Sequence, residues 1–185
     1  MSSTSSHGYA HAMHDLGLAA WFGGSLMGAV GLNKAAAKAS NPSERTAIAR
    51  TGWDAWTPVN AAAIGAHLVG AAILTGANRG RLTAQQGVAT TSAAKAAATL
   101  GALAITAWGR KVGKEIQAGA PAEGVTEPGG MTPGQVADAQ RQERYLQWAI
   151  PALTGVMMVI SSKMSEQQKP AEVAKGVLKR LIPAA

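Results

Sequence analysis

The sequence predicts an all-α fold: a four-transmembrane-helix bundle with short helical connectors and a C-terminal amphipathic helix. Three observations carry this. Charged residues make up only 15% of the 185-residue chain, well under the roughly 25% of soluble domains. Those charges cluster in loops, so that four long apolar stretches carry at most one each. The tryptophans fall where a four-span count puts one membrane face.

The elements follow in order. Residues 1–14 are Ser-rich, lack Lys and Arg, and read as a flexible tail, poorly ordered up to about Tyr9; without a basic n-region this is not a secretory signal, so the first apolar run is a retained helix. The membrane domain covers 15–163, with spans at about 16–33, 55–78, 89–109 and 145–162. Asn41-Pro42-Ser43-Glu44 reads as a capping box opening a short helix before span two. Thr57-Pro58 reads as the N-cap and first residue of span two itself. Span three contains Lys95, and span four contains Pro151, which predicts a kink. Residues 119–134, rich in Gly and Pro, form the clearest loop, and Thr132-Pro133-Gly134-Gln135 reads as a cap for the helix that runs into span four. In the tail 164–185, Val173, Val177, Leu178, Leu181 and Ile182 share one face, with Lys175, Lys179 and Arg180 off it and Pro170 and Pro183 at the ends. Such a helix lies in the membrane interface or docks on a partner.

With this topology the start of span two, the end of span three and the start of span four share a membrane face. Trp53, Trp56, Trp108 and Trp148 occupy those places as an interfacial belt, and Trp21 is expected nearer the other face. The loops of the two faces carry nine and seven basic residues, a difference too small to fix the orientation. The uncharged N-terminal segment ahead of a basic first loop favours both termini outside.

Small residues recur every fourth position: Gly24 and Gly28 in span one, Ala62, Ala66 and Gly70 in span two, Ala93, Ala97 and Gly101 in span three. Helices in lipid associate through close van der Waals approach and Cα–H···O contacts, so these are the expected packing ridges.

The polar residues near lipid supply the candidate sites. His7, His11 and His14 recur at i, i+4, i+7, a spacing that can bind zinc or copper; His11 and His14 are the candidate metal residues, and Asp15 either completes the set or serves as a negative charge at a helix N-terminus. Asp15, His67 and Lys95 form the intramembrane polar set. A haem on His67 would need a second axial ligand at similar depth. His14 is expected about a dozen residues of helix rise away, and Met27, Met157 and Met158 belong more naturally to packing. His67 is therefore expected to be neutral, bonded to a neighbouring helix or lining a small wet cavity. Lys95 is expected on the membrane face of Asp15, snorkelling or paired with it. No cofactor is expected, with haem and copper left open. The chain has no cysteine, which removes disulfides, thiolate zinc sites and iron–sulfur ligation. No paired carboxylates, phosphate loop or Ser/His/Asp set stands out, so no enzyme is expected. The net charge of +7 belongs to residues flanking apolar spans, which points to lipid headgroups and not to nucleic acid.

From His14-Asp15-Leu16 through Trp21-Phe22-Gly23-Gly24 the sequence resembles a local pattern, over residues 14–28, of copper-resistance-D-type membrane proteins. That resemblance implies copper handling, with His14 the residue to carry it. The Ala-rich spans and Gly/Pro loops also resemble, in style, small actinobacterial accessory subunits of respiratory cytochrome supercomplexes. The expectation is thus a multi-pass cell-membrane protein whose partners are the bilayer and other membrane subunits, acting as a non-catalytic accessory or assembly subunit. The alternative is a small transporter or copper- or metal-handling protein using His14 and His67, with Asp15 and Lys95 beside them around a cavity.

Overall fold

The computed structural model describes residues 3–119 and 125–181, with side chains from Gly8 to Lys179 within them. Among these residues there is no strand, and four helical runs are long and apolar enough to cross a membrane. α1 (Ser3–Met27) passes through a single π-helical turn (Gly28–Leu32) into α2 (Asn33–Ala36). α3 (Pro42–Ala77) is followed by the short α4 (Arg79–Ala84), α5 (Val88–Ala118), α6 (Gly134–Glu166) and α7 (Pro170–Leu181). α1 packs along α3, α5 along α6, and α1 against α6, whereas α3 and α5 scarcely meet.

The helices are longer than the uncharged stretches, because a helix keeps its hydrogen-bond ladder past the point where side chains turn polar. α1 takes in residues 3–14, which composition assigns to a tail. The Asn41 cap forms as expected, its side chain accepting from Ser43 N–H at 3.0 Å. The helix it opens is not a short connector but the start of the second span. Thr57 consequently caps nothing: α3 runs through Pro58, and the Thr57 hydroxyl donates to the Trp53 carbonyl at 2.7 Å. α6 starts one residue later than the Thr132 reading requires, and the Thr132 hydroxyl instead accepts from Gly129 N–H at 3.0 Å. α6 is likewise continuous through the buried Pro151.

The middle of the bundle is a packed layer built from Leu18, Trp21, Ala102 and Met157, with Ile64, Leu103, Ile150 and Leu153 around it. Two further clusters, Ala36 with Ala49 and Val125, and Val112 with Ile116 and Ala139, are buried apart from it. Trp21 is fully buried in that layer, not near a membrane face, because its indole N–H has a partner inside, the Thr106 hydroxyl at 3.2 Å. The other four tryptophans do share one end. There Trp108 donates to Gln142 at 3.2 Å, Trp53 donates to Asn33 at 2.9 Å, and Arg110 pairs with Asp54, next to Trp53, at 2.9 Å.

At the opposite end Gly87, at φ +86°, makes the tight turn into α5 that a side chain would strain. α7 is amphipathic as expected and folds back on this end. Gln86 N–H donates to the Gly176 carbonyl at 3.2 Å, and the Gln85 amide donates to the Gln167 carbonyl at 3.0 Å. Val173 and Val177 are half-buried and Leu178 is exposed. Ile182 and Pro183 lie outside the described residues. On the polar face the Lys175 ammonium, 2.7 Å from Glu172, holds that carboxyl below its ordinary value.

Candidate functional site

The site begins with two glycines. A Cβ on Gly70 would stand 2.6 Å from the Ala10 carbonyl and 2.7 Å from the His14 N–H nitrogen. A Cβ on Gly17 would strike the Ala63 carbonyl and come within 2.7 Å of the His67 nitrogen. At these two points α1 and α3 touch backbone to backbone, the approach that small residues permit in lipid. The register this imposes sets His14 level with His67. Their ring centroids are 4.4 Å apart, and His67 Nδ1–H donates to the His14 carbonyl at 3.0 Å. The expected depth difference of a dozen residues does not exist. It assumed a span starting at Leu16, whereas α1 starts at Ser3 and runs antiparallel to α3.

The remaining expected packing residues divide. Gly24 and Gly28 do admit a neighbour, but what fills each is an indole ring, Trp56 and Trp53 respectively, and not a backbone. Gly101 makes only an ordinary contact, its Cβ position 3.7 Å from Leu153. Ala66 is half-buried, while Ala62, Ala93 and Ala97 face outward. In an alanine-rich helix several fourfold ridges coexist, and the larger inward residues decide which one packs: His67 in α3, Ala102 with Leu103 in α5.

Lys95 reaches the pair from α5. Its Nζ lies 2.6 Å from His14 Nε2, and His14 Nδ1 lies 2.6 Å from Asp15 Oδ1. The ammonium can only donate, so Nε2 accepts and Nδ1 carries the proton given to Asp15. The three side chains form one directed hydrogen-bond chain. His14 is buried, with its side chain 6% exposed, and Asp15 is open at 63%. The expected Asp15–Lys95 pairing therefore runs through His14. Both His14 nitrogens are engaged, and the Lys95 ammonium stands where a metal on Nε2 would sit. No three metal-binding side chains gather among the described residues. His11 is half-buried beside the same cavity, and the side chain of His7 lies outside the described residues.

His11, His14, Asp15, His67 and Lys95 line a cavity of about 170 Å³. Its outer end is tied by Arg81, which donates to Gln85 at 2.9 Å and to the Gln167 carbonyl at 2.7 Å. A second cavity, of about 380 Å³, lies between α3 and α5 at the tryptophan end. Its floor is organised by Asn33, which accepts from Trp53 and donates to Gln147 at 3.0 Å. Trp56 Nε1, Asn60 Oδ1 and Glu143 Oε2, all in residues that line it, are buried without a hydrogen-bond partner. Sequence reasoning missed this cavity. Its available signal was Trp56 and Asn60 at i, i+4 on an apolar helix, together with a Glu two residues before span four.

The two cavities lie at opposite ends of the bundle, separated by the Leu18, Trp21, Ala102 and Met157 layer. Of the methionines considered as haem ligands, Met157 is packed in that layer, and Met27 and Met158 face outward. Comparison with known proteins finds no family model that matches the chain, no curated protein similar to it and no similar solved structure.

Proposed function

We propose that the chain is a small membrane transporter that carries protons. The observation that carries this reading is the pair of cavities at opposite ends, with one packed layer between them and the Lys95–His14–Asp15 chain in one. Ionisable residues inside a membrane are costly and mark ion or proton paths. A proton moving from Lys95 to His14 Nε2, while the Nδ1 proton passes to Asp15, neutralises the charged pair in one concerted step. The cycle closes when Asp15, the solvent-open member, releases its proton, Lys95 takes up another, and rotation of the imidazole returns its N–H to the Asp15 side. His67, fixed by its bond to the His14 carbonyl, holds the backbone from which His14 projects.

Reconstitution into liposomes with an internal pH-sensitive dye tests this. Under an imposed pH gradient with a potassium shunt, the wild type should dissipate the gradient well above empty liposomes. Lys95→Met should lower that flux by about tenfold or more, the scale of losing one proton-transfer partner. A wild-type rate equal to that of empty liposomes would rule the reading out.

A second reading, an accessory subunit of a larger membrane complex, is favoured by the outward position of Ala62, Ala93 and Ala97. Small residues facing lipid offer a surface on which another membrane helix can pack closely. On this reading Ala93→Leu and Ala97→Leu together release a copurifying membrane subunit in mild detergent while leaving the bundle folded. A chain that purifies alone from its native membrane removes it.

A further inference from the structure

We infer that the larger cavity binds a lipid-soluble molecule with a neutral polar head bearing two hydroxyl groups, held by Trp56, Asn60 and Glu143. The inference stands whether or not the chain transports anything.

The route of entry follows from the packing. α3 and α5 scarcely touch, and the cavity between them runs from the apolar level of Ile64, Leu103 and Ile150 to the polar end at Arg50, Arg110 and Glu143. A molecule with an apolar body and a polar head matches it, and the gap between the two helices is its way in from the bilayer. Ile64, Leu103 and Ile150 give it apolar walls, suited to a hydrocarbon or ring. Three of the lining residues carry buried side-chain atoms without a partner: the donor Trp56 Nε1–H, the acceptor Asn60 Oδ1 and the carboxyl oxygen Glu143 Oε2. Buried polar atoms of native proteins are nearly always hydrogen-bonded, so three in one cavity call for a partner. A hydroxyl accepts one hydrogen bond and donates one. One hydroxyl can take the Trp56 proton and donate to Asn60, and a second can donate to Glu143.

Charge favours a neutral head: burial disfavours the ionised form of Glu143, the one carboxyl among the lining residues, and the arginines are already paired. The two arginines at the cavity, Arg50 and Arg110, both face Asp54, at 3.6 and 2.9 Å. A phosphate would have to break those pairs, and a cation would meet them. The cradle also explains one glycine: Gly24 admits the Trp56 ring, which a Cβ there would strike. Two lipid-soluble sources share this chemistry: dihydroxy aromatics with an alkyl tail and glycerol monoesters.

The test uses the full chain in nanodiscs of phosphatidylcholine, whose head carries no hydroxyl. Native mass spectrometry counts bound 2-decylhydroquinone (kept reduced under argon), its dimethyl ether, and 1-monoolein. We expect one diol molecule per chain, bound at least about tenfold more tightly than the ether. Preference for the hydroquinone or for monoolein assigns the source. Asn60→Leu should weaken diol binding by about tenfold while the ligand-free protein melts at or above the wild-type temperature, since a buried unmatched acceptor is gone. Trp56→Phe, which keeps the ring and loses the N–H, should weaken binding similarly and serves if Asn60→Leu does not fold. The inference fails if neither diol outbinds the ether, or if a folded variant binds the diol as the wild type does.

Discussion

Gly70→Leu should prevent α1 from docking on α3. The position leaves no space: a Cβ alone would stand 2.6 Å from the Ala10 carbonyl, 2.7 Å from the His14 nitrogen and 2.8 Å from the His14 Cβ. Two of these atoms are backbone, so relief requires moving a whole helix and not rotating a side chain. Overpacking a core typically costs about 1–3 kcal/mol, and separating two backbones belongs at or above the top of that range. The damage should also reach the chemistry, because the same contact sets His14 against His67 and presents His14 to Lys95. Gly65 on the same helix is the control. Nothing lies within 4 Å of a Cβ there, so Gly65→Ala should be neutral or slightly stabilising. Denaturation in mixed micelles, followed by circular dichroism and by gel filtration, measures both. A Gly70→Leu protein as resistant as Gly65→Ala would show that the backbone contact does not hold the bundle.

The sequence made the four spans legible because absence of charge over helical lengths is a strong signal and four tryptophans confirmed the count. Packing was less legible. Gly24, Gly28 and Gly70 were recognised from spacing, but Gly17, one of the two backbone contacts, lies outside any fourfold pattern with them. Spacing along one helix cannot tell which ridge meets a neighbour when alanine fills most of the alternatives. Ala93 and Ala97 look like an interface in sequence and face outward in the fold. The helix ends were misjudged for a related reason. Charge marks where lipid ends, whereas caps such as Asn41 mark where helices begin, and in α3 the two are fourteen residues apart, from Asn41 to Ala55.

The site residues were named together, because ionisable groups inside a span are costly, and His14, Asp15, His67 and Lys95 do line one cavity. The bonds between them depend on helix register, which hydropathy does not encode. The Asp15–Lys95 attraction was anticipated without its intermediary, since His14 was read as a candidate metal residue. Trp56, Asn60 and Glu143 gave less warning still. Each is unremarkable where it stands in sequence, and only the packing of α3, α5 and α6 brings the three residues to the lining of one cavity.

Trp21→Ala should join the two cavities. Trp21 is the largest side chain of the separating layer and is fully buried, and its neighbours Leu18, Ala102 and Met157 come from three different helices. Truncating a buried tryptophan costs about 3–5 kcal/mol, since rigid helices collapse only partly into the space left. Here the space would connect a polar cavity holding His14 and His67, whose ring centroid lies 6.4 Å from that of Trp21, with the one that Ser25 and Thr106 line. Both of those hydroxyls already bond to Trp21, Ser25 to its carbonyl at 2.7 Å and Thr106 to its indole N–H at 3.2 Å. With the indole gone Ser25 keeps its backbone partner, while the Thr106 hydroxyl loses its donor and becomes a site for water in an otherwise apolar layer. Liposomes carrying Trp21→Ala should therefore lose a pH gradient faster than wild type, and the added leak should persist when Lys95→Met is combined with it, because continuous water needs no relay. Trp21→Phe keeps most of the volume and loses only the N–H, so it should destabilise less and leave the barrier closed. If the alanine variant folds and holds the gradient as the wild type does, Trp21 is not the barrier between the cavities.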